Sequence, residues 1–128
     1  MIMAALIALC CFAACQKKDG TAVDTSKVIT NITSPVDGAI YHSSDTVHIV
    51  ADVAYPSELH GYEIEITDTS NGNILFTADD HVHTDHFSID EHWVGSTLQP
   101  KGLRLRIITS IDHNGNKATK ERYFSLQP

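Results

Sequence analysis

A run of histidines between residues 79 and 93 is the part of this sequence best suited to chemistry. His81, His83, His86 and His92 fall within twelve positions and make up half of the eight histidines in the chain. On a β-strand, residues two apart project from the same face about 7 Å apart. The spacing of His81 and His83 therefore predicts that their imidazoles can meet one ion, and neutral imidazole suits zinc, copper and nickel.

Further neighbours could complete this predicted metal site. We expect His86 to join the pair if a turn lies at Thr84-Asp85, and an oxygen ligand could come from Asp79, Asp80 or Asp85. The expected cofactor is then zinc or copper. The alternative interpretation is a polar strand exposed to solvent, on which the histidines stand in place of threonine or lysine and bind nothing.

The other four histidines are weaker candidates. His48 alternates outward in its predicted strand, and His42 and His60 stand at strand ends beside turns. His113 lies in the segment 112–116, whose side-chain oxygens suggest a calcium loop, but the twelve-residue spacing with a closing glutamate is missing. A tight hairpin explains this segment better, so we expect these histidines at surface or turn positions.

Residues that could support catalysis are not arranged for it. The sequence has no Gly-x-Ser-x-Gly nucleophile elbow and no glycine-rich phosphate loop before a helix. Paired carboxylates occur at 79–80 and 90–91, but they adjoin turns, where aspartate bonds its own backbone. A domain of this size seldom provides the cleft that glycosidase chemistry requires. We therefore expect a protein that is not an enzyme.

The N-terminus carries a signal of a different kind. Residues 1–14 contain no charged residue, and this apolar run is too short to span a bilayer but long enough for the core of a signal peptide. The tetrapeptide Phe12-Ala13-Ala14-Cys15 resembles the lipobox of bacterial lipoproteins, in which a peptidase cuts before a diacylated cysteine, although Phe12 stands where the family usually has leucine. The resemblance implies that Cys15 is the lipidation site.

The residues after Cys15 predict a tether and a cellular location. The segment 15–27 is polar and without apolar periodicity, as expected of a flexible linker. Gln16 and the charged residues that follow resemble the short signals that send some Bacteroidota lipoproteins to the outer face of the outer membrane. The resemblance implies a lipid-anchored protein of the cell envelope, at the outer membrane, facing either the periplasm or the surface.

Charge and cysteine content restrict the partners of this chain. Its net charge is −7, from 9 Lys and Arg against 16 Asp and Glu. This acidity argues against a nucleic-acid partner and against a basic patch for anionic lipid, so the lipid expected on Cys15 must supply the anchoring.

The cysteine content predicts that the mature protein contains no disulfide, because Cys10 and Cys11 would leave with the signal peptide.

The remaining segment, 28–128, shows the period of two that is typical of half-buried strands, and no convincing run with a period of 3.6. The predicted strands cover 28–33, 46–53, 62–67, 74–78, 103–107 and 118–126, with two more around 81–89 and a break near Asp85. Asn71-Gly72 and the segment 112–116 predict hairpins. About seven short strands with turns at this spacing indicate an all-β, immunoglobulin-like antiparallel sandwich.

Several motifs of this segment resemble bacterial Ig-like domains, particularly those of Bacteroidota surface lipoproteins: Ser34-Pro35, Asp37-Gly38-Ala39, Asp45-Thr46-Val47, Asp112 with Gly115-Asn116, and Tyr123-Phe124. The cysteine pair of antibody domains is absent and Trp93 is not on the third strand, so the resemblance implies only the sandwich architecture. Such modules serve as spacers, adhesion units and binding domains. We therefore expect a module that recognises a partner protein or glycan, with transition-metal binding through the histidine-rich strand as the alternative.

Overall fold

The computed structural model describes residues 22–128. The predicted signal peptide 1–14, Cys15 and the first part of the tether lie outside the described residues. A short 3₁₀ turn, Thr25–Lys27, precedes eight strands. The strands are β1 Ile29–Ser34, β2 Ile40–His42, β3 Thr46–Leu59, β4 Gly61–Asp68, β5 Ile74–Asp80, β6 Thr84–Val94, β7 Lys101–Ser110 and β8 Lys117–Gln127. Within 22–128, no helix has the length and apolarity needed to cross a membrane.

The strands form two sheets that face each other. One sheet has the order β1-β3-β6 and the other the order β2-β8-β7-β4-β5. All neighbours are antiparallel except β2, which runs parallel to β8. This arrangement confirms the predicted Ig-like sandwich. The strand that the sequence did not reveal is β2, which is only three residues long and therefore too short to show an alternation.

The core lies between the two sheets and follows the predicted alternation. In β3, Val47, Ile49, Ala51 and Val53 are buried while His48 is exposed. The facing sheet contributes the inward residues of its central strands, namely Ile64, Ile66, Leu103, Leu105 and Ile107. Burial of this apolar surface is the main favourable term in folding.

The end of β3 departs from the prediction. The strand continues to Leu59, and its register against β6 shifts between Ala54, opposite His86, and Leu59, opposite Thr84. Five steps along β3 therefore match two steps along β6, which leaves the segment 55–58 outside the regular ladder. Pro56 lies in this segment and has no N–H to donate, which favours such a bulge.

The predicted strands at 81–89 are also placed differently. The break is not near Asp85: residues 81–83 are outside any strand, and β6 runs without interruption from Thr84. The reason is topological, because β5 belongs to the five-stranded sheet and β6 to the three-stranded sheet. The chain must leave one sheet to reach the other, and residues 81–83 make this crossing.

Several segments meet at one end of the sandwich, which we call the site end. They are the bulge 55–58, the crossing 81–83 and the β7–β8 turn 111–116. The start of β1 lies there too, because Ile29 pairs with Ala54. The residues that enter the domain from the N-terminal side and the histidine-bearing loops therefore share one end.

Candidate metal site

His81 and His83 lie together at the site end. Their Nε2 atoms are 2.9 Å apart and their ring centroids 4.6 Å apart, at an interplanar angle of 80°. Both side chains are exposed to solvent. The structure therefore brings the predicted pair together, although the two residues lie in the crossing between sheets and not on one face of a strand.

Glu58 and His60 contact the other side of His83. The Oε1 atom of Glu58 is 3.2 Å from Nδ1 of His83 and 3.8 Å from Nε2 of His60. One ligand atom from each of these three residues lies within 4.8 Å of the others. We call the set of Glu58, His60, His81 and His83 the histidine cluster.

The local backbone explains how Glu58 and His60 reach His83. Glu58 is the last residue of the bulge, which carries it away from the ladder of β3 and β6. His60 joins β3 to β4, and its backbone N–H donates a hydrogen bond of 2.9 Å to the carbonyl of Ser110. Its side chain is only 16% exposed, and its Nδ1 atom is buried without a hydrogen-bond partner among the described residues.

His113 lies behind His60, in the turn between β7 and β8. The two ring centroids are 4.2 Å apart, and the ring of His83 is 6.4 Å from that of His113. Asp112 shapes the turn by accepting hydrogen bonds from Asn116 and from the backbone of Asn114. The Asn116 side chain, its backbone, Asn114 and the nearby His60 lower the pKa of Asp112, while burial opposes them.

His86, the third residue of the predicted site, does not belong to the cluster. It lies on β6 opposite Ala54, its side chain is 79% exposed, and its Nδ1 is 2.7 Å from Oδ1 of Asp85. The hydrogen bond from His86 lowers the pKa of Asp85. The predicted turn at Thr84-Asp85, which would have directed His86 towards His81 and His83, is absent because β6 begins at Thr84.

The carboxylate beside His83 also differs from the expected ones. Asp80 uses Oδ1 to accept the backbone N–H of His81 at 2.8 Å, and Asp85 faces His86. Glu58 takes the position beside His83 that we had expected for one of the aspartates. Sequence reasoning missed it because the bulge, and not the spacing along the chain, brings residues 58 and 83 together.

An open depression of about 390 Å³ adjoins the cluster. His60 and His81 line it together with the carboxylates of Glu63, Asp79 and Asp80. Burial raises the pKa of the neighbouring Tyr62, and Glu91, Asp80 and Asp79 raise it further. The depression is therefore a region of negative potential, which attracts a cation towards the imidazoles.

Comparisons with known proteins address the fold. No protein-family model and no curated protein matches this chain. Among solved structures, the chain is similar to the fibronectin(III)-like modules of Clostridium thermocellum CbhA, with a TM-score of 0.50 and 13% identity over 77% of this chain and 94% of that one. It also matches the CARDB domain of a Pyrococcus furiosus protein solved with di-metal ions, with a TM-score of 0.45 and 10% identity over 79% and 94% of the two chains. The likeness to the CbhA modules shows the fold, an Ig-like sandwich, and no more than the fold.

Proposed function

We propose that this protein is a cell-envelope lipoprotein whose Ig-like domain binds a divalent transition metal, zinc or copper, at the histidine cluster. The observation that carries the proposal is the approach of His81 and His83, whose Nε2 atoms are 2.9 Å apart, beside Glu58 and His60, which each have a ligand atom within 4.8 Å of one on His83. Two segments of the chain, 58–60 and 81–83, supply these groups. Imidazole and carboxylate are the ligands that zinc and copper accept.

The surroundings of the cluster support a cation more than any other ligand. The side chain of His83 is 48% exposed and that of Glu58 56%, so an ion can enter directly from solvent. The carboxylates of the adjoining depression add negative potential. Such an open position suits binding and release, and we assign a binding role and not a catalytic one.

A lipid anchor on Cys15 would hold this site close to a membrane. The 3₁₀ turn Thr25–Lys27 contacts β8, so the predicted tether is attached to the domain from Thr25 onwards. The nine residues 16–24 would span roughly 15 to 18 Å as the flexible linker that the sequence predicts. Because the start of β1 is at the site end, the histidine cluster would face the outer membrane to which the chain is anchored.

Calorimetric titration of the purified protein with zinc and copper(II) at pH 7.5 tests the proposal. A site of two or three ligands is expected to bind with a micromolar Kd, about −8 kcal/mol. The double variant His81→Ala, His83→Ala should have a Kd at least about tenfold higher than the parent, which corresponds to about 1.4 kcal/mol of binding free energy. The matched control His86→Ala, His92→Ala removes two histidines of β6 and should bind as the parent does.

The pH dependence adds a second criterion. Histidine binds metal in its deprotonated form, so protons compete with the ion and affinity should fall between pH 7.5 and about pH 5.5. If both double variants bind alike, or if the parent binds neither metal, the histidine cluster is not the metal site.

Recognition of a partner protein or glycan is the second candidate function. One observation favours a protein partner: β6 is an edge strand of eleven residues, and an exposed edge can pair with a strand of another chain. Cross-linking in intact cells followed by mass spectrometry would test this. Cross-links concentrated on β6 in a protein that binds no metal would favour the second function over the first.

A further inference from the structure

We infer that Glu58 is a positioning residue and not a metal ligand: it holds the proton of His83 on Nδ1, so that Nε2 of His83 and Nε2 of His81 bind the ion. The inference rests on the proposed function and specifies the atoms of the same site. It differs from the simpler assignment, in which Glu58 would coordinate the metal beside His60 and His83.

The contact between Glu58 and His83 fixes the position of one proton. An ionised carboxylate can only accept hydrogen bonds, so the proton in the 3.2 Å contact with Oε1 must be on Nδ1 of His83. A neutral imidazole with a proton on Nδ1 has its lone pair on Nε2. The carboxylate therefore leaves Nε2 as the ligating atom of His83.

That lone pair is directed at His81. The two Nε2 atoms are 2.9 Å apart, so in the metal-free protein Nε2 of His81 carries the proton and donates it to His83. A metal replaces this proton. The neutral ring of His81 then changes tautomer, losing the proton on Nε2 to solvent and taking one from solvent on Nδ1, with no net change in charge.

The separation of the two nitrogens suits a chelated ion. With metal–nitrogen bonds of about 2.0 to 2.1 Å, a 2.9 Å separation corresponds to an angle of about 90°, as between neighbouring ligands of tetragonal copper(II). A tetrahedral zinc ion needs about 3.3 Å. In the metal-free hydrogen bond the two nitrogens face each other, whereas a chelated ion lies off the line that joins them, so both exposed rings must rotate when the ion binds.

His60 does not compete with His83 for the carboxylate. Its Nε2 atom is 3.8 Å from Oε1 of Glu58, which is too long for a hydrogen bond. A carboxylate that holds a ligating histidine by its second nitrogen raises the basicity of the ligand and fixes its orientation. Glu58 would have this role towards His83, with His60 and its buried Nδ1 packed beside it.

Long-range ¹H–¹⁵N NMR spectra of the protein labelled with ¹⁵N-histidine test the assignment directly. Without metal, His83 should show a protonated Nδ1 and an unprotonated Nε2. On saturation with zinc, the Nε2 resonances of His81 and His83 should move to metal-bound values, while Nδ1 of His83 keeps its proton. A metal-bound Nδ1 of His83 would overturn the inference.

Two substitutions of one residue give an independent criterion. Glu58→Gln keeps an oxygen that can accept from Nδ1, so zinc affinity should stay within about fivefold of the parent, the difference between a charged and a neutral hydrogen bond. Glu58→Ala removes the acceptor and should weaken binding by about 10- to 100-fold, as removal of an outer-shell partner does. The control Asp90→Ala, at an exposed position of β6, should change affinity less than Glu58→Ala.

The possible failures are distinguishable. If Glu58→Gln loses as much affinity as Glu58→Ala, Glu58 is a ligand and the inference is wrong, while the metal site stands. If Glu58→Ala binds as the parent does, Glu58 has no role and the inference is again wrong. If the parent binds no zinc, the proposed function fails, and the metal-free NMR spectrum still decides whether Glu58 fixes the tautomer of His83.

Discussion

Gly61 lies directly against the backbone of Asp80, at the point where β4 begins and β5 ends. Its φ is +130°, and a Cβ atom at this position would collide with the carbonyl oxygen of Asp80. The residues that flank this contact are His60 and His81, two members of the histidine cluster. The close approach of the two strand ends therefore brings two segments of the histidine cluster to the same place.

Replacement of Gly61 by alanine should weaken both the fold and the site. The variant Gly61→Ala has an unfavourable φ and a steric overlap with Asp80, so we expect a loss of about 2 to 4 kcal/mol in the free energy of unfolding. Gly38→Ala is the control, because Gly38 has a φ of +80° but nothing within 4 Å of an added Cβ. Its loss should be about 1 to 2 kcal/mol, measured by urea denaturation. Equal losses in the two variants would contradict the role of the contact with Asp80.

Two leucines with opposite exposure test whether the two sheets pack against each other as described. Leu105 is fully buried at the centre of β7, and Leu98 is 94% exposed in the β6–β7 connection. Leu105→Ala should lower the free energy of unfolding by about 2 to 5 kcal/mol, because it leaves a cavity between the sheets. Leu98→Ala should change it by no more than about 0.5 kcal/mol. Similar urea midpoints for both variants would mean that the sheets do not pack as described.

The lowered pKa of Asp68 predicts how the stability of the domain changes at acidic pH. It is buried, and hydrogen bonds from the side chain and backbone of Ser70, then from Lys101, lower its pKa from 3.8 to about 2. A lowered pKa contributes stability that is fully present above about pH 4 and is lost as pH falls through about 2. Asp68→Asn should therefore be less stable than the parent at neutral pH, and the difference should shrink between pH 4 and pH 2.

Thermal unfolding as a function of pH measures this effect. The control Asp90→Asn changes a carboxylate on an exposed position of β6, and its Tm should follow that of the parent across the same range. A difference between the parent and Asp68→Asn that stays constant from pH 7 to pH 2 would contradict the role of the lowered pKa.

The sequence predicted the fold class because apolar residues alternate regularly in the central strands of each sheet, whose inner face packs in the core. Val47 to Val53 and Leu103 to Ile107 were placed with the correct face inward. The three-residue strand β2 and the extension of β3 to Leu59 were missed. Both depend on pairing with distant strands, and such tertiary contacts leave little trace in local periodicity.

The candidate site was predicted in part, and for a partly wrong reason. His81 and His83 do lie together, but in a crossing between sheets, and His86 is directed to Asp85 instead. Glu58 comes from a bulge and His60 from the adjoining β3–β4 junction, both more than twenty residues away. Pro56 within a strand-like run was the available signal of that bulge, because a proline interrupts the ladder.

The lipid anchor remains a prediction from the sequence. Cys15→Ser should leave the protein unprocessed or released from the membrane, because the thiol is the proposed acylation site. Cys11→Ser is the matched control, since that cysteine lies within the predicted signal peptide and its loss should not affect anchoring. Metabolic labelling with a fatty acid and fractionation of the membranes distinguish the two. Recovery of lipid-labelled Cys15→Ser in the membrane fraction would overturn the lipoprotein assignment.

Anomalous diffraction at the zinc edge, from crystals of the protein grown with zinc, tests the central claim most directly. The account predicts one anomalous peak at the site end, about 2.0 to 2.1 Å from Nε2 of His81 and Nε2 of His83, with Glu58 bound to the opposite nitrogen of His83. A peak at His86 or His92, or none at the histidine cluster under conditions that saturate a micromolar site, would contradict it.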